Sequence, residues 1–151
     1  MPDVQELLSD ADIVMSCPYK VGYPVGIHYR VKHRACDFRA MRAVVREKFP
    51  EYMPAFRSVM RSTQMSLANM FIMRRELFDD YCRWLFGVLF EVERRIVIST
   101  DPFQMRVFGF MAERLMNVWV RHHGLRVKHL PVWVVVDENL KNVILIYSKI
   151  L

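Results

Sequence analysis

Three polar side chains that could move a proton, Tyr29, His33 and Asp37, follow one another at four-residue spacing. Residues four apart lie on the same face of a helix. An imidazole held by a carboxylate can act as a general base, so this triplet is a candidate catalytic group. The same spacing also fits a structural role, in which His33 pairs with a neighbour on its own helix and Asp37 caps the helix that runs to Phe49. On spacing alone the structural interpretation is favoured.

A second polar group lies on the helix predicted after Asp101-Pro102-Phe103-Gln104, which has the residue types of a helix N-terminus. Arg106, Glu113 and Asn117 share one stripe of that helix, because spacings of seven and four residues return to the same face. One explanation is an Arg106–Glu113 ion pair that fixes packing. The other is a polar cleft in which Gln104 and Arg106 contact a ligand. The residues alone do not separate these two explanations.

The sequence offers only a weak candidate for a metal site. Asp10-Ala11-Asp12 has the D-x-D pattern with which two carboxylates hold a divalent ion against a diphosphate. Such carboxylates must follow an apolar strand, whereas here the apolar segment Ile13–Met15 comes after them. We therefore expect no metal site, and we expect Asp12 to lead a strand. The three cysteines have no C-x-x-C spacing, which argues against zinc and against a disulfide framework; they are Cys17, Cys36 and Cys82.

Composition indicates one folded domain, since 53% of the 151 residues are hydrophobic and 25% are charged. The net charge of +6 rests mostly on arginine and suits an anionic partner. The basic residues are scattered and match no nucleic-acid-binding motif, so no nucleic acid is expected. The longest uncharged apolar run, Trp84–Phe90, is too short to span a bilayer. With no secretory signal visible at the start, we expect a cytoplasmic protein.

Hydrophobic periodicity predicts mostly helices and a few short strands. A loop is expected over Pro18–Gly26, and Asn69 is the one amide inside a predicted buried strand. The predicted helices are Val4–Leu8, Tyr29 or Asp37 to Phe49, one that follows Pro54, Arg74–Ile96 and Pro102–His123; the predicted strands are Asp12–Cys17, Ser66–Met73 and a hairpin of Val132–Val136 with Val143–Tyr147.

Several segments, in one fixed order, resemble a known family. They are Tyr29-x-x-x-His33-x-x-x-Asp37-Phe38, Phe49-Pro50-Glu51-Tyr52, Asn69-Met70-Phe71-Ile72-Met73, Leu77-Phe78-Asp79-Asp80-Tyr81-Cys82-x-Trp84-Leu85-Phe86 and Gln104-x-Arg106-Val107-Phe108-Gly109-Phe110-x-x-Glu113-Arg114-Leu115-x-Asn117-Val118-Trp119. Over about residues 5–131 the chain resembles the C-terminal half of a bacterial domain family of unknown function. That family is found in capsular-polysaccharide and lipopolysaccharide glycosyltransferases.

The resemblance implies a helix-rich α/β fold, a partial GT-A-like glycosyltransferase domain. A small mixed sheet would be flanked by long helices and followed by a C-terminal β-hairpin. Residues 1–131 would form the C-terminal half of the glycosyltransferase-like domain, and residues 132–151 the hairpin extension. The family's N-terminal half, with a nucleotide-binding strand and a His-Tyr-Arg-Arg stretch, has no counterpart, and Gly26–Arg30 only echoes that stretch. We therefore expect a truncated domain whose strands Ile13–Met15 and Met70–Ile72 lack parallel neighbours, leaving edges that favour self-association.

The resemblance also implies a function, which is transfer of a sugar from a nucleotide-sugar donor to a glycan acceptor by the full-length form. Asn69 in its strand and Asp101–Arg106 at a helix start would face the donor or acceptor cleft. A divalent metal, Mn²⁺ or Mg²⁺, would serve a full-length homologue and not this chain, which alone should be inactive. The candidate substrate-binding residues, with no catalytic roles assigned, are Tyr29, His33, Asp37, Asn69, Gln104, Arg106 and Glu113.

The family resemblance leaves one alternative open, a non-catalytic helical binding module that recognises an anionic ligand or a protein partner. Both interpretations are compatible with peripheral association at the inner face of the membrane and with a homo-oligomer. Binding of nucleotide sugars would distinguish them.

Overall fold

The computed structural model describes residues 3–132. The predicted C-terminal hairpin, apart from Val132, lies outside these residues. The helices are α1 (Val4–Leu7), α2 (Val25–Lys32), α3 (Ala35–Lys48), α4 (Met53–Arg61), α5 (Arg75–Glu93) and α6 (Val107–His122), with 3-10 turns at Pro50–Tyr52 and Gln104–Arg106. The strands are β1 (Ile13–Ser16), β2 (Tyr19–Lys20), β3 (Gln64–Met65), β4 (Phe71–Met73) and β5 (Val127–Leu130).

The architecture is helix-rich α/β with a small mixed sheet, as predicted. Three strands form a sheet in the order β4-β1-β5, and β2 pairs with β3 in a separate two-stranded ribbon. In the larger sheet Ile13 lies opposite Met73 of antiparallel β4 and opposite Val127 of parallel β5. Within the residues described here, no helix combines the length and the apolarity that crossing a membrane requires.

The prediction that β1 lacks a parallel neighbour is wrong. The neighbour is β5, which hydrophobicity does not reveal because Lys128 and His129 interrupt its apolar residues. Since β1 is the central strand, the edges among residues 3–132 are β4 and β5. The predicted loop over Pro18–Gly26 also needs correction, because it contains β2 and the start of α2.

The helix expected to carry Tyr29, His33 and Asp37 on one face is divided into two. The first part, α2, ends at Lys32, and His33 adopts an extended backbone while its N–H donates to the Tyr29 carbonyl at 2.7 Å. The second part, α3, begins at Ala35, so Asp37 lies in its first turn and not at its N-cap. The three side chains therefore do not share a helix face.

The strand expected over Ser66–Met73 is also shorter than predicted, since only Phe71–Met73 is a strand. Ala68 and Asn69 have φ values of 73° and 48°, in the left-handed region, and Asn69 lies in an exposed turn. We call residues 66–69 the α6-bound loop, because polar side chains of α6 bind its backbone as described below. These hydrogen bonds replace strand pairing, which is why an apolar sequence forms a turn here.

A single large core lies beneath α3, α4, α5 and α6. Helix α6 is buried over most of its circumference, with Met111, Leu115 and Val118 fully inaccessible. A smaller cluster of Leu7, Leu8 and Val14 fixes α1 against the sheet. Burial of this apolar surface supplies the main stabilisation of the fold. Polar groups inside α6 therefore require explanation, and they identify the candidate site.

Candidate site at the start of α6

The chain enters α6 through a capped 3-10 turn. The Asp101 Oδ1 atom accepts hydrogen bonds from the amides of Phe103 and Gln104 at 3.0 and 2.8 Å. The predicted helix start at Pro102 is wrong, because Asp101 caps only this turn and α6 begins at Val107 without a side-chain cap. The Gln104 side chain does not return to Asp101 as a capping box would require. Its Nε2 atom donates instead to the Lys32 carbonyl at 3.1 Å. This bond ties the start of α6 to the end of α2.

The residue at the centre of the site is Arg114, which is 1% exposed. Its Nη1 atom donates to the Phe110 carbonyl and to Glu113 Oε2, both at 2.9 Å. Its Nη2 atom lies 3.3 Å from His28 Nδ1, and its guanidinium lies 5.2 Å from the centre of the Tyr29 ring. Burial lowers the pKa of Arg114, and the charge on Glu113 opposes that shift. The guanidinium thus depends on Glu113, the one carboxylate that contacts it among the described residues.

Arg114 was missed as a functional candidate. The sequence contained a usable signal, because Arg114 follows Glu113 directly on a helix that is otherwise strongly apolar from Met111 to Val120. A charged residue in such a position either is buried or interrupts the apolar face of the helix. Only Glu113 was selected from this pair.

His33 lies in an aromatic stack beside Arg114. Its ring centroid is 3.9 Å from that of Phe110 and 5.6 Å from that of Phe103, and Tyr29 meets it edge-on at 4.9 Å. Burial, reinforced by the positive charge of Arg114, lowers the pKa of His33 to about 4. The imidazole is therefore neutral at physiological pH.

Three buried polar atoms in this region have no hydrogen-bond partner within residues 3–132. They are Tyr29 Oη, His33 Nδ1 and Arg114 Nε. Buried polar atoms are nearly always paired, because leaving one unpaired costs free energy. Burial, together with the nearby charge of Asp37, raises the pKa of Tyr29, so the phenol keeps its proton. We define the Arg114 cluster as His28, Tyr29, His33, Glu113 and Arg114.

Glu113 connects the Arg114 cluster to the α6-bound loop. Its second oxygen, Oε1, accepts from the Ala68 amide at 3.1 Å. One turn further along α6, Asn117 accepts from the Ser66 amide at 3.0 Å and donates to the Ser66 carbonyl at 2.9 Å. Asn69 then donates to the Gly109 carbonyl at 3.3 Å. The left-handed backbone of this loop is a strained conformation of the kind that concentrates at functional sites.

The predicted ion pair between Arg106 and Glu113 is not formed. Arg106 precedes α6 in the 3-10 turn, so the seven-residue helical spacing does not apply to it. Its guanidinium lies 5.5 Å from the centre of the Phe110 ring and is exposed. Both oxygens of Glu113 are used by Arg114 and Ala68.

The structure thus gathers most of the candidate residues around the start of α6, where Tyr29 is fully buried, and leaves Asp37 outside this group. Asp37 is 3% exposed and pairs with Arg34 at 3.8 Å, without a hydrogen bond to His33. The candidates around the first two turns of α6 are Tyr29, His33, Asn69, Gln104, Arg106 and Glu113.

The D-x-D carboxylates pair with basic side chains of the neighbouring strand β5 and of the residue before it. Asp12 receives two hydrogen bonds from the Arg126 guanidinium, at 2.9 and 3.2 Å, which lower the pKa of Asp12 to about 2. Asp10 pairs with Lys128 at 3.2 Å. Asp12 leads β1, as expected. Over residues 3–132, no three histidine, cysteine, aspartate or glutamate residues cluster closely enough to hold a metal ion.

Comparison with known proteins assigns the fold. The family model described as "Domain of unknown function (DUF4422)" matches residues 1–124. A solved structure, "WbbM bifunctional glycosytransferase apo structure", superposes with a TM-score of 0.78 at 29% sequence identity over 84% of this chain. The chain spans 24% of the length of that protein. No curated protein matches the chain. The chain therefore belongs to the DUF4422 domain family, and its fold is similar to that of part of a glycosyltransferase.

Proposed function

We propose that this chain is the C-terminal half of a glycosyltransferase domain of bacterial surface-polysaccharide synthesis, either of capsule or of lipopolysaccharide. In full-length form the domain would transfer a sugar from a nucleotide-sugar donor to a glycan acceptor. The observation that carries the proposal is the superposition on a bifunctional glycosyltransferase at a TM-score of 0.78. The exposed polar side chains of Asn69 and Arg106, beside the Arg114 cluster, support a polar ligand on this side of the molecule.

The surface beside the Arg114 cluster has the mixture of groups that binds sugars. Phe103 and Met105 are 44% and 54% exposed and offer apolar contacts to the carbon face of a sugar ring. The exposed Arg106 provides a cation for a phosphate. Asn69 provides an amide for hydroxyl groups. Positive charge is what a departing nucleoside diphosphate requires, because negative charge develops on it in the transition state.

Residues 3–132 do not fit the divalent metal that nucleotide-sugar transferases commonly use. Asp10 and Asp12 pair with Lys128 and Arg126, so a metal ion would have to displace both basic side chains. We propose in addition that a full-length homologue binds Mn²⁺ or Mg²⁺ as its cofactor. The chain alone should then neither transfer sugar nor hydrolyse the donor. A cytoplasmic location, at the inner face of the membrane, belongs to this proposal as well.

Calorimetric titration with uridine- and guanosine-diphosphate sugars in Mg²⁺ tests the proposal. One class of donor should bind, and Asn69→Ala and Arg106→Ala should each weaken binding about tenfold, the worth of a charged or polar contact. The control is Arg83→Ala on α5, whose side chain is 76% exposed and pairs with Asp80. Absence of binding by the unmodified chain contradicts the proposal. Turnover that Asn69→Ala or Arg106→Ala abolishes would show instead that this chain is a complete catalyst.

A second candidate function, a binding module for an anionic ligand, is favoured by one specific observation. A cleft with four arginines lies on another side of α2.

A further inference from the structure

Helices α2, α3 and α4 enclose a cleft of about 360 Å³. Four exposed arginines surround it, and its apolar floor includes Phe38, Phe56 and Met60. We call it the arginine cleft; its arginines are Arg30, Arg42, Arg57 and Arg61. Its size is in the range of pockets that bind small organic ligands, roughly 300–1,000 Å³.

A glycine allows the arginines to converge. Gly26 lies so close to α4 that an added Cβ would be 3.3 Å from the Met60 Cβ and 3.3 Å from the Phe38 ring. One turn later, Arg30 donates from Nε to the Gly26 carbonyl at 2.9 Å, and its guanidinium lies 5.6 Å from the centre of the Phe38 ring. The side chain is thus fixed in place through Nε, and its two terminal nitrogens remain for a ligand.

The cleft holds positive charge without compensating negative charge. Neither α2 nor α4 contains an aspartate or glutamate. The two acidic residues of α3 pair elsewhere, Asp37 with Arg34 at 3.8 Å and Glu47 with Arg95 at 2.7 Å. Across the described part of the chain, none of the four cleft arginines forms a salt bridge. Like charges gathered in a concave surface focus a positive potential that attracts an anion.

We propose that the arginine cleft binds the diphosphate group of a phosphorylated ligand. A guanidinium donates two parallel hydrogen bonds to phosphate oxygens, and several guanidinium groups around one cleft match a compact group with several negative charges. The site is separate from the Arg114 cluster. His28, which contacts Arg114, is two residues from both Gly26 and Arg30, so it points away from them across α2. The inference therefore does not depend on the proposed transferase function.

Calorimetric titration of the chain with inorganic pyrophosphate provides the test. We expect one site, with binding weakened about a hundredfold in Arg57→Gln/Arg61→Gln, since each contact to a charged group contributes about tenfold. The matched control is Arg75→Gln/Arg83→Gln, which removes the same charge from exposed positions on α5. Thermal melts of both double variants should agree with that of the unmodified chain. Equal weakening by the two pairs would show non-specific attraction by net charge and would overturn the proposal.

Two further ligands distinguish the sources of the diphosphate. Uridine diphosphate represents a nucleotide and farnesyl diphosphate a lipid-linked carrier. Tighter binding of either one than of pyrophosphate, weakened by Arg57→Gln/Arg61→Gln and not by Arg106→Ala, supports the cleft and identifies the source. Binding of an acidic polysaccharide or of phosphatidylglycerol vesicles, with no binding of pyrophosphate or of either organic diphosphate, would overturn the proposal in favour of a different anion.

Discussion

Arginine occurs in two opposite environments next to α2. Arg114 is buried, and Glu113 and His28 contact it, whereas the arginines of the cleft are exposed and form no salt bridge within residues 3–132. A buried charge that loses its partner destabilises a fold, while an exposed charge costs little and remains available to a ligand. The two regions therefore predict different consequences of substitution: loss of stability at the Arg114 cluster and loss of binding at the arginine cleft.

Among changes to the Arg114 cluster, Glu113→Ala should lower the stability of the protein the most. This change leaves the charge of Arg114 without a carboxylate and the Ala68 amide without an acceptor. We expect the free energy of unfolding to fall by about 3–5 kcal/mol, measured by urea denaturation. Asp80→Ala, which breaks the exposed Arg83–Asp80 pair, should cost less than about 1 kcal/mol. Equal losses in the two variants would mean that Arg114 does not depend on Glu113.

Asn117→Ala should have the next largest effect. The Asn117 amide joins α6 to both backbone polar groups of Ser66, and Ser66 is 6% exposed. Unpaired buried groups cost roughly 1–3 kcal/mol, so stability should fall by about that amount. Hydrogen exchange at the Ser66 amide should accelerate more than the global loss of stability explains. An unchanged relative protection of Ser66 would show that Asn117 does not hold the loop.

Ala68→Gly should stabilise the protein, which would test the left-handed backbone of the α6-bound loop. Ala68 has a φ of 73°, a conformation that costs an alanine roughly 1–2 kcal/mol and a glycine almost nothing. We expect a gain of about 1 kcal/mol in a thermal melt. The same substitution within α6, Ala112→Gly, should lower stability by about 1 kcal/mol. Destabilisation by both changes would contradict a left-handed backbone at residue 68.

The change expected to have the smallest effect at neutral pH is replacement of His33, which alters the dependence of stability on pH. The pKa of His33 is lowered to about 4 in the fold, against about 6.5 in an unfolded chain. The unfolded chain then binds more protons between these values, so stability is full above pH 6.5 and falls as pH decreases toward 4. His33→Phe keeps the stacking on Phe110 and should reduce this loss, measured as melting temperature against pH. His28 and His123, whose pKa values burial also lowers, remain as a background in both proteins. An identical decline in the variant would show that His33 does not titrate in this way.

The sequence predicted elements whose signals are local. Periodicity located α5 and α6, Pro18 marked the end of β1, and Asp101 caps the turn at the start of α6. Prediction from the sequence failed where contacts between residues far apart in the chain determine the local backbone. The α6-bound loop looks like a strand because its residues are apolar, yet Asn117 and Glu113 on α6 determine its backbone. β5 was missed because it is short and half polar, and its pairing with β1 alone makes it a strand.

The candidate site, like the fold, could be predicted only in part from the sequence. The structure gathers six of the seven candidates around the start of α6, an arrangement that spacing did not predict, because spacing could not show that α2 ends before His33. Because the helix divides, Tyr29 and Asp37 do not share a helix face, although Asp37 stays close enough for its charge to reinforce burial in raising the pKa of Tyr29. The arginine cleft could not be predicted at all, because its four arginines come from three helices and converge only through the close packing at Gly26.

Backbone amide shifts in ¹⁵N NMR spectra report on the surface at the start of α6 and on the arginine cleft in one experiment. A nucleotide sugar that binds in Mg²⁺ should move the amides of Ala68, Asn69 and Gly109, and pyrophosphate should move those of Gly26 and Met60. Separate sets of shifts would confirm a sugar-nucleotide surface at α6 and a distinct diphosphate site at the arginine cleft. If a nucleotide sugar leaves the amides near Asn69 and Arg106 unmoved while an anionic polymer or a protein partner moves them, the transferase-like assignment is wrong and the chain is a binding module.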